Sequence, residues 1–159
     1  MKILFINPPG FGTNEYPPLG LLYLASVAEK NGYEVDFFDG GIVRGEPNII
    51  EYAKKQKPDV VAFSLYTVNL IDSYRIIKKI SELKPRPIII TGGPHATALP
   101  KRTLQECPEI DYLIYGEGEI TFIELLNALK RGNEIKNIKG LYYCNDGVIM
   151  HTEPRAYIK

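Results

Sequence analysis

The 159-residue chain has no tryptophan, two cysteines, two histidines and no excess of either charge. Each shortage excludes a class of function. Nineteen basic residues balance nineteen acidic ones, so no global field draws the chain to nucleic acid or to an anionic membrane. Cys107 and Cys144 stand far apart and outside any Cys-x-x-Cys pair. That leaves no zinc, redox or iron–sulfur spacing, and both read as reduced, inert thiols. His95 and His151 are too few for a metallohydrolase. The longest apolar runs, such as Ile3–Ile6 and Val60–Phe63, fall far short of the roughly 20 residues of a membrane-spanning helix. Pro8 interrupts the first run too early for a signal peptide. These absences point to a cytoplasmic protein with neither a membrane nor a nucleic-acid partner.

What is present is an ordinary globular composition, 45% hydrophobic and 24% charged. The length matches about one domain, which buries roughly two thirds of its unfolded surface without disulfides or metal. Short apolar runs alternate with amphipathic segments. Strands are expected at Ile3–Asn7, Tyr33–Phe38, Val60–Ser64, Ile88–Thr91 and Tyr112–Tyr115. Helices are expected from Pro17-Pro18 to Asn31-Gly32, from Pro47 to about Gln56, over Asn69–Leu83 and over Glu119–Leu129, with a short one near Leu99–Gln105. Such alternation predicts an α/β fold with a parallel sheet covered on both faces. Five strands favour the flavodoxin-like (Rossmann-like) order 2-1-3-4-5, with the ligand crevice outside the carboxyl ends of strands one and three. Gly140–Cys144 and Val148–Thr152 flank Asn145-Asp146-Gly147, which signals a C-terminal β-hairpin.

The usual uses of this fold leave no trace. Asn7-Pro8-Pro9-Gly10-Phe11-Gly12 after strand one is not a dinucleotide fingerprint, and no Walker loop exists. Strand three ends in Ser64 rather than Asp, which excludes a phosphorylation receiver. No Gly-x-Ser-x-Gly elbow occurs. What remains is four small, backbone-rich loops on one edge: Asn7-Pro8-Pro9, Ser64-Leu65-Tyr66-Thr67, Gly92-Gly93-Pro94-His95 and Gly116-Glu117-Gly118-Glu119. Loops of this kind suit a large ligand that needs close backbone approach.

Four segments then carry a family likeness: Asn7-Pro8-Pro9 with Tyr16-Pro17-Pro18-Leu19-Gly20-Leu21; Asp59–Thr67; Gly92-Gly93-Pro94-His95-Ala96-Thr97; and Tyr115-Gly116-Glu117-Gly118-Glu119. In this order they resemble the cobalamin (B12)-binding domain of cobalamin-dependent radical SAM enzymes. The anaerobic magnesium-protoporphyrin monomethyl ester oxidative cyclases and methyltransferases look similar here. The resemblance implies cobalamin-binding residues at Asn7, Pro8, Pro9, Tyr16, Leu19, Gly20, Ser64, Leu65, Tyr66, Thr67, Gly92, Gly93, Pro94, His95, Gly116, Glu117 and Gly118. It gives Ser64 a bond to the cofactor's base, Gly92-Gly93 a groove for the nucleotide tail, Thr67 a bond to that tail, and Gly116 and Gly118 the flanks of the base. A bulky side chain at Gly93 is expected to block the groove and leave folding intact.

No histidine precedes His95, so loop one cannot supply the lower cobalt ligand found in the methionine-synthase pattern. That face is left to water or to residues near Pro8 and Tyr16. His95 itself is expected to touch the cofactor without ligating cobalt. Glu117 and Glu119 are explained without a ligand, because acidic side chains complement a helix start. The resemblance also implies residues 1–135 as the cobalamin domain and residues 136–159 as a hairpin and linker toward a radical SAM barrel of the same parent chain. SAM and a [4Fe–4S] cluster belong to that barrel, and the chain itself is expected to bind without catalysing. Two other readings stay open: an interaction module of the same fold without ligand, and a flavin- or nucleotide-binding domain.

Overall fold

A computed structural model describes residues 1–9, 17–42 and 46–156. Tyr16 falls outside the described residues. The elements run β1 (Lys2–Asn7), α1 (Leu19–Lys30), β2 (Glu34–Asp39), α2 (Glu46–Gln56), β3 (Val60–Ser64), a 3-10 turn (Thr67–Asn69), α3 (Leu70–Ser81), β4 (Ile88–Gly92), α4 (Pro94–Ala98), α5 (Pro100–Glu106), β5 (Tyr112–Ile114), α6 (Glu119–Arg131), β6 (Leu141–Asn145) and β7 (Val148–His151). The sheet order is β2-β1-β3-β4-β5-β6-β7. The first five strands are parallel, in the order expected from the sequence.

Period-two burial explains the layers. Ile3, Phe5, Val60, Ala62, Ile90 and Ile114 meet Leu21, Ala25 and Ala28 of α1 and Phe122, Leu125 and Leu126 of α6. Alternate positions of the same strands, Leu4, Ile6, Val61, Phe63, Ile89 and Leu113, meet α2, α3 and α5 through Ile49, Ala53, Ile76, Ile77, Ile80 and Leu104. Strands buried on both faces read as continuous apolar runs.

Two details differ from expectation. The short helix expected near Leu99–Gln105 is α5, but a further helix, α4, precedes it, and the two are separate because Pro100 holds Leu99 out of the helical region at φ −134°. The hairpin is not an appendage. Strand β6 pairs antiparallel with β5, Leu113 opposite Tyr142, and extends the sheet to seven strands. The physical reason is the edge. Strand β5 is three residues long, and its free backbone groups would otherwise face solvent. Tyr115 packs edge-on against Tyr142 at 5.1 Å and donates its hydroxyl to the Thr152 carbonyl at 3.0 Å, which fixes the hairpin. Among the described residues no helix is long and apolar enough to cross a membrane.

Candidate functional site

All four loops singled out in the sequence leave the carboxyl edge of the sheet. Ser64 ends β3 directly opposite Gly92, which ends β4. The two loops are then bonded together. Leu65 N–H donates to the Gly92 carbonyl at 2.8 Å, and His95 N–H donates to the Leu65 carbonyl at 3.0 Å. Gly93 lies between them at φ 94°, ψ 179°, a region open almost only to glycine. A Cβ on Gly93 would stand 2.6 Å from Ser64 Oγ and 2.8 Å from Leu65 N. The missing side chain therefore makes room for the neighbouring loop, not for a groove. The expectation that a bulky residue at Gly93 would spare folding is corrected on this ground. The β4 loop is tied onward to the β5 loop, because Gly116 N–H donates to Thr97 Oγ1 at 3.1 Å.

An open cavity of about 290 Å³ lies over the ends of β3, β4 and β5, between the starts of α1 and α6. Leu21, Leu24, Ala62, Ile90, Ile114 and Phe122 make its lining largely apolar. Nine of the seventeen residues singled out line it: Gly20, Ser64, Tyr66, Gly92, Gly93, Pro94, Gly116, Glu117 and Gly118. Gly118 caps α6 at φ −95°, ψ −18°, a conformation that any residue adopts. A Cβ there would meet Leu24 and Ile114 at ordinary contact distances of 3.6–3.7 Å. Gly20 faces open space, with nothing within 4 Å of a Cβ. The glycines that leave room for a ligand are thus Gly20 and Gly118 more than Gly93.

The cavity sits one strand further along the edge than the crevice expected outside β1 and β3. Asn7, Pro8, Pro9, Leu19, Leu65, Thr67 and His95 are not among its lining residues. All of these but Pro8 have another setting in the fold. Asn7 is buried and donates from Nδ2 to Asp39 Oδ1 at 2.8 Å. That carboxylate also accepts from Gly41 N–H at 2.9 Å, so Asn7 pins the end of β1 to the turn after β2. Pro9 abuts Gly40, where a Cβ would come within 3.0 Å of its ring. Leu65 is fully buried in the core facing α3, and Leu19 is 72% exposed. His95 is buried, with Nδ1 2.9 Å from Thr67 Oγ1. It joins α4 to the 3-10 turn.

One polar group of the cavity was read from sequence only as a helix-dipole partner. Glu119, the first residue of α6, lines the cavity, and its Oε2 is buried without a hydrogen-bond partner among the described residues. A carboxylate at a helix start is ordinary in sequence, so nothing in the sequence marks this one as different. Cys107 is buried, and burial pushes its thiol up to about 12. Cys144, read like Cys107 as an inert thiol, is exposed.

Residues 12–126 match the model of the B12 binding domain family. The chain is 38% identical, over 167 aligned positions, to an uncharacterized methyltransferase of Pyrococcus horikoshii, covering all of this chain and 36% of that protein. It is 28% identical to the anaerobic magnesium-protoporphyrin IX monomethyl ester cyclase of Cereibacter sphaeroides, again over all of this chain and 28% of the relative. The chain thus spans about a third of the length of these relatives. Among solved structures, the radical S-adenosylmethionine methyltransferase TsrM of Kitasatospora setae superposes with a TM-score of 0.86 at 22% identity, covering 98% of this chain and 30% of that one. At that identity the likeness concerns the fold.

Proposed function

This chain belongs to the B12-binding domain family, and we propose that it holds cobalamin with the nucleotide end in the cavity between α1 and α6. The observation that carries the reading is the cavity itself: apolar walls, a hydroxyl at Ser64, and glycines at 20, 92, 116 and 118 on its rim. Size supports one orientation. At about 30 Å³ for each water-sized group, 290 Å³ takes on the order of ten such groups. That is room enough for a bicyclic base, with the macrocycle outside, over the carboxyl edge of the sheet.

The chain's own residues have three tasks in this reading. Leu24, Ile114 and Phe122 exclude water from the faces of the base. Ser64 donates its hydroxyl to the base's ring nitrogen. The loops after β3 and β4, fixed to each other by the Leu65 and His95 backbone bonds, offer a preformed seat, which lowers the ordering cost of binding. When bound, cobalamin supplies a cobalt centre for group transfer or redox chemistry, which is the cofactor's chemistry and not the protein's. For the parent protein we propose a cobalamin-dependent radical SAM enzyme of methyltransferase or cyclase type, with residues 136–159 leading toward its barrel.

Three titrations test the reading. Cobalamin should bind at least tenfold more tightly than cobinamide, which lacks the nucleotide. Ser64→Ala should weaken cobalamin by about fivefold, the scale of one neutral hydrogen bond, and leave cobinamide unchanged. Gly118→Leu, which fills the cavity from an unstrained position, should remove the preference for cobalamin. Equal affinity of the parent chain for the two corrinoids would overturn the proposal.

A further inference from the structure

The cavity has a polar requirement that its apolar walls do not meet. Glu119 Oε2 is buried and lacks a partner among the described residues. Glu117 also lines the cavity but has an interaction of its own. The start of α6 favours the negative charge of Glu119 through the helix dipole. A favourable field does not fill the lone pairs of a buried oxygen, and a buried acceptor left unpaired is costly. Leu24, Ile114 and Phe122 of the same lining carry no donor, and the hydroxyls of Ser64, Tyr66 and Thr91, which also line the cavity, make no hydrogen bond with it. The missing partner is therefore sought on whatever enters the cavity.

We propose that Glu119 is a specificity-determining residue: its carboxylate accepts a hydrogen bond from an O–H or N–H donor on the nucleotide end of the bound corrinoid. The inference rests on the reading given under Proposed function. It gives the cavity complementary polar positions, beside the hydroxyl of Thr91, which is likewise buried without a partner among the described residues. Ser64 donates to an acceptor on the ligand, and Glu119 accepts from a donor. Two sources of that donor share this chemistry. A ribose hydroxyl is present in every complete corrinoid. An amino group is present on an adenine base and absent from dimethylbenzimidazole.

The test is a set of absorbance titrations with cobinamide, cobalamin and an adenine-base corrinoid. Each is run on the parent chain, Glu119→Gln and Glu119→Leu, with thermal melts as the control for folding. Glu119→Leu should weaken binding by about 10- to 100-fold, the span of a hydrogen bond to a charged group. Glu119→Gln keeps the shape and one carbonyl oxygen, and should fall between the parent and Glu119→Leu. Cobinamide should bind all three proteins alike. Equal losses for cobalamin and the adenine form assign the donor to the ribose. A loss confined to the adenine form assigns it to the base. If Glu119→Gln and Glu119→Leu both bind the two complete corrinoids within twofold of the parent chain, the inference is overturned, even where the parent still prefers cobalamin over cobinamide. If the parent shows no such preference, the underlying reading fails first.

Discussion

Gly93→Ala should destabilise the fold while changing a single methyl group. The alanine Cβ would lie 2.6 Å from Ser64 Oγ, 2.8 Å from Leu65 N and 2.9 Å from Leu65 O. Ser64 can turn its hydroxyl aside, but the Leu65 backbone cannot, since its N–H and carbonyl are held by Gly92 and His95. The backbone at φ 94°, ψ 179° adds about 1–3 kcal/mol of strain for any residue with a side chain. Forcing the methyl between two packed loops adds about 1–3 kcal/mol more. The sum, about 2–6 kcal/mol, is a large part of the roughly 5–15 kcal/mol of a typical domain. At about 2–4 °C per kcal/mol for a chain of this size, the melting temperature should fall by roughly 5–20 °C. Urea unfolding followed by circular dichroism gives the free energy, and a thermal melt gives the second measure. Ser64→Gly in the same background should recover little, because the Leu65 backbone contacts persist. A loss below about 0.5 kcal/mol, the range of an unremarkable surface substitution, would refute the contact argument.

Other positions separate structural from ligand-facing roles. Asn7→Ala removes the buried bond to Asp39 and should cost about 1–3 kcal/mol; a double-mutant cycle with Asp39→Ala should show coupling, and additive losses would count against the pin. Gly20→Ala should raise stability by about 0.5 kcal/mol in a urea melt, since the new Cβ meets nothing within 4 Å and helix propensity improves. Under native conditions a thiol reagent should label Cys144 quickly and leave Cys107 untouched until the chain unfolds; fast labelling of two thiols would contradict the burial. Burial raises the Cys107 thiol from 9.0 to about 12 and the Tyr74 phenol from 10.0 to about 12. Folded values above the unfolded ones mean stability that is complete below pH 9 and lost as pH climbs toward 12. Urea midpoints should therefore decline across that window, and a flat profile would remove both groups from the account.

Much of the fold is legible in the sequence because the parallel strands are buried on both faces. Val60–Ser64 is continuous apolar residues closed by a hydroxyl, and it forms the strand expected of it. The order of the five parallel strands follows from the few right-handed crossovers available. The union of β6 with β5 is less legible, since Asp146-Gly147 announces a hairpin without saying which edge it will cover. The site shows the same split. The loops after β3, β4 and β5 are marked by small residues and come together around one cavity. A glycine in the sequence does not say what its missing side chain makes room for. At Gly93 it is the adjacent loop, and at Gly118 it is the cavity. Asn7 and Leu65 stand in the right segments, yet their side chains are spent on Asp39 and on the core.

The central claim is that the base of cobalamin enters the cavity beside Ser64, away from cobalt. The most direct measurement is the visible spectrum of the chain after mixing with excess hydroxocobalamin and desalting. The account predicts about one retained cofactor per chain with a base-off spectrum, and loss of that species in Gly118→Leu. A retained cofactor with its base still on cobalt, or no retention at all, would contradict it.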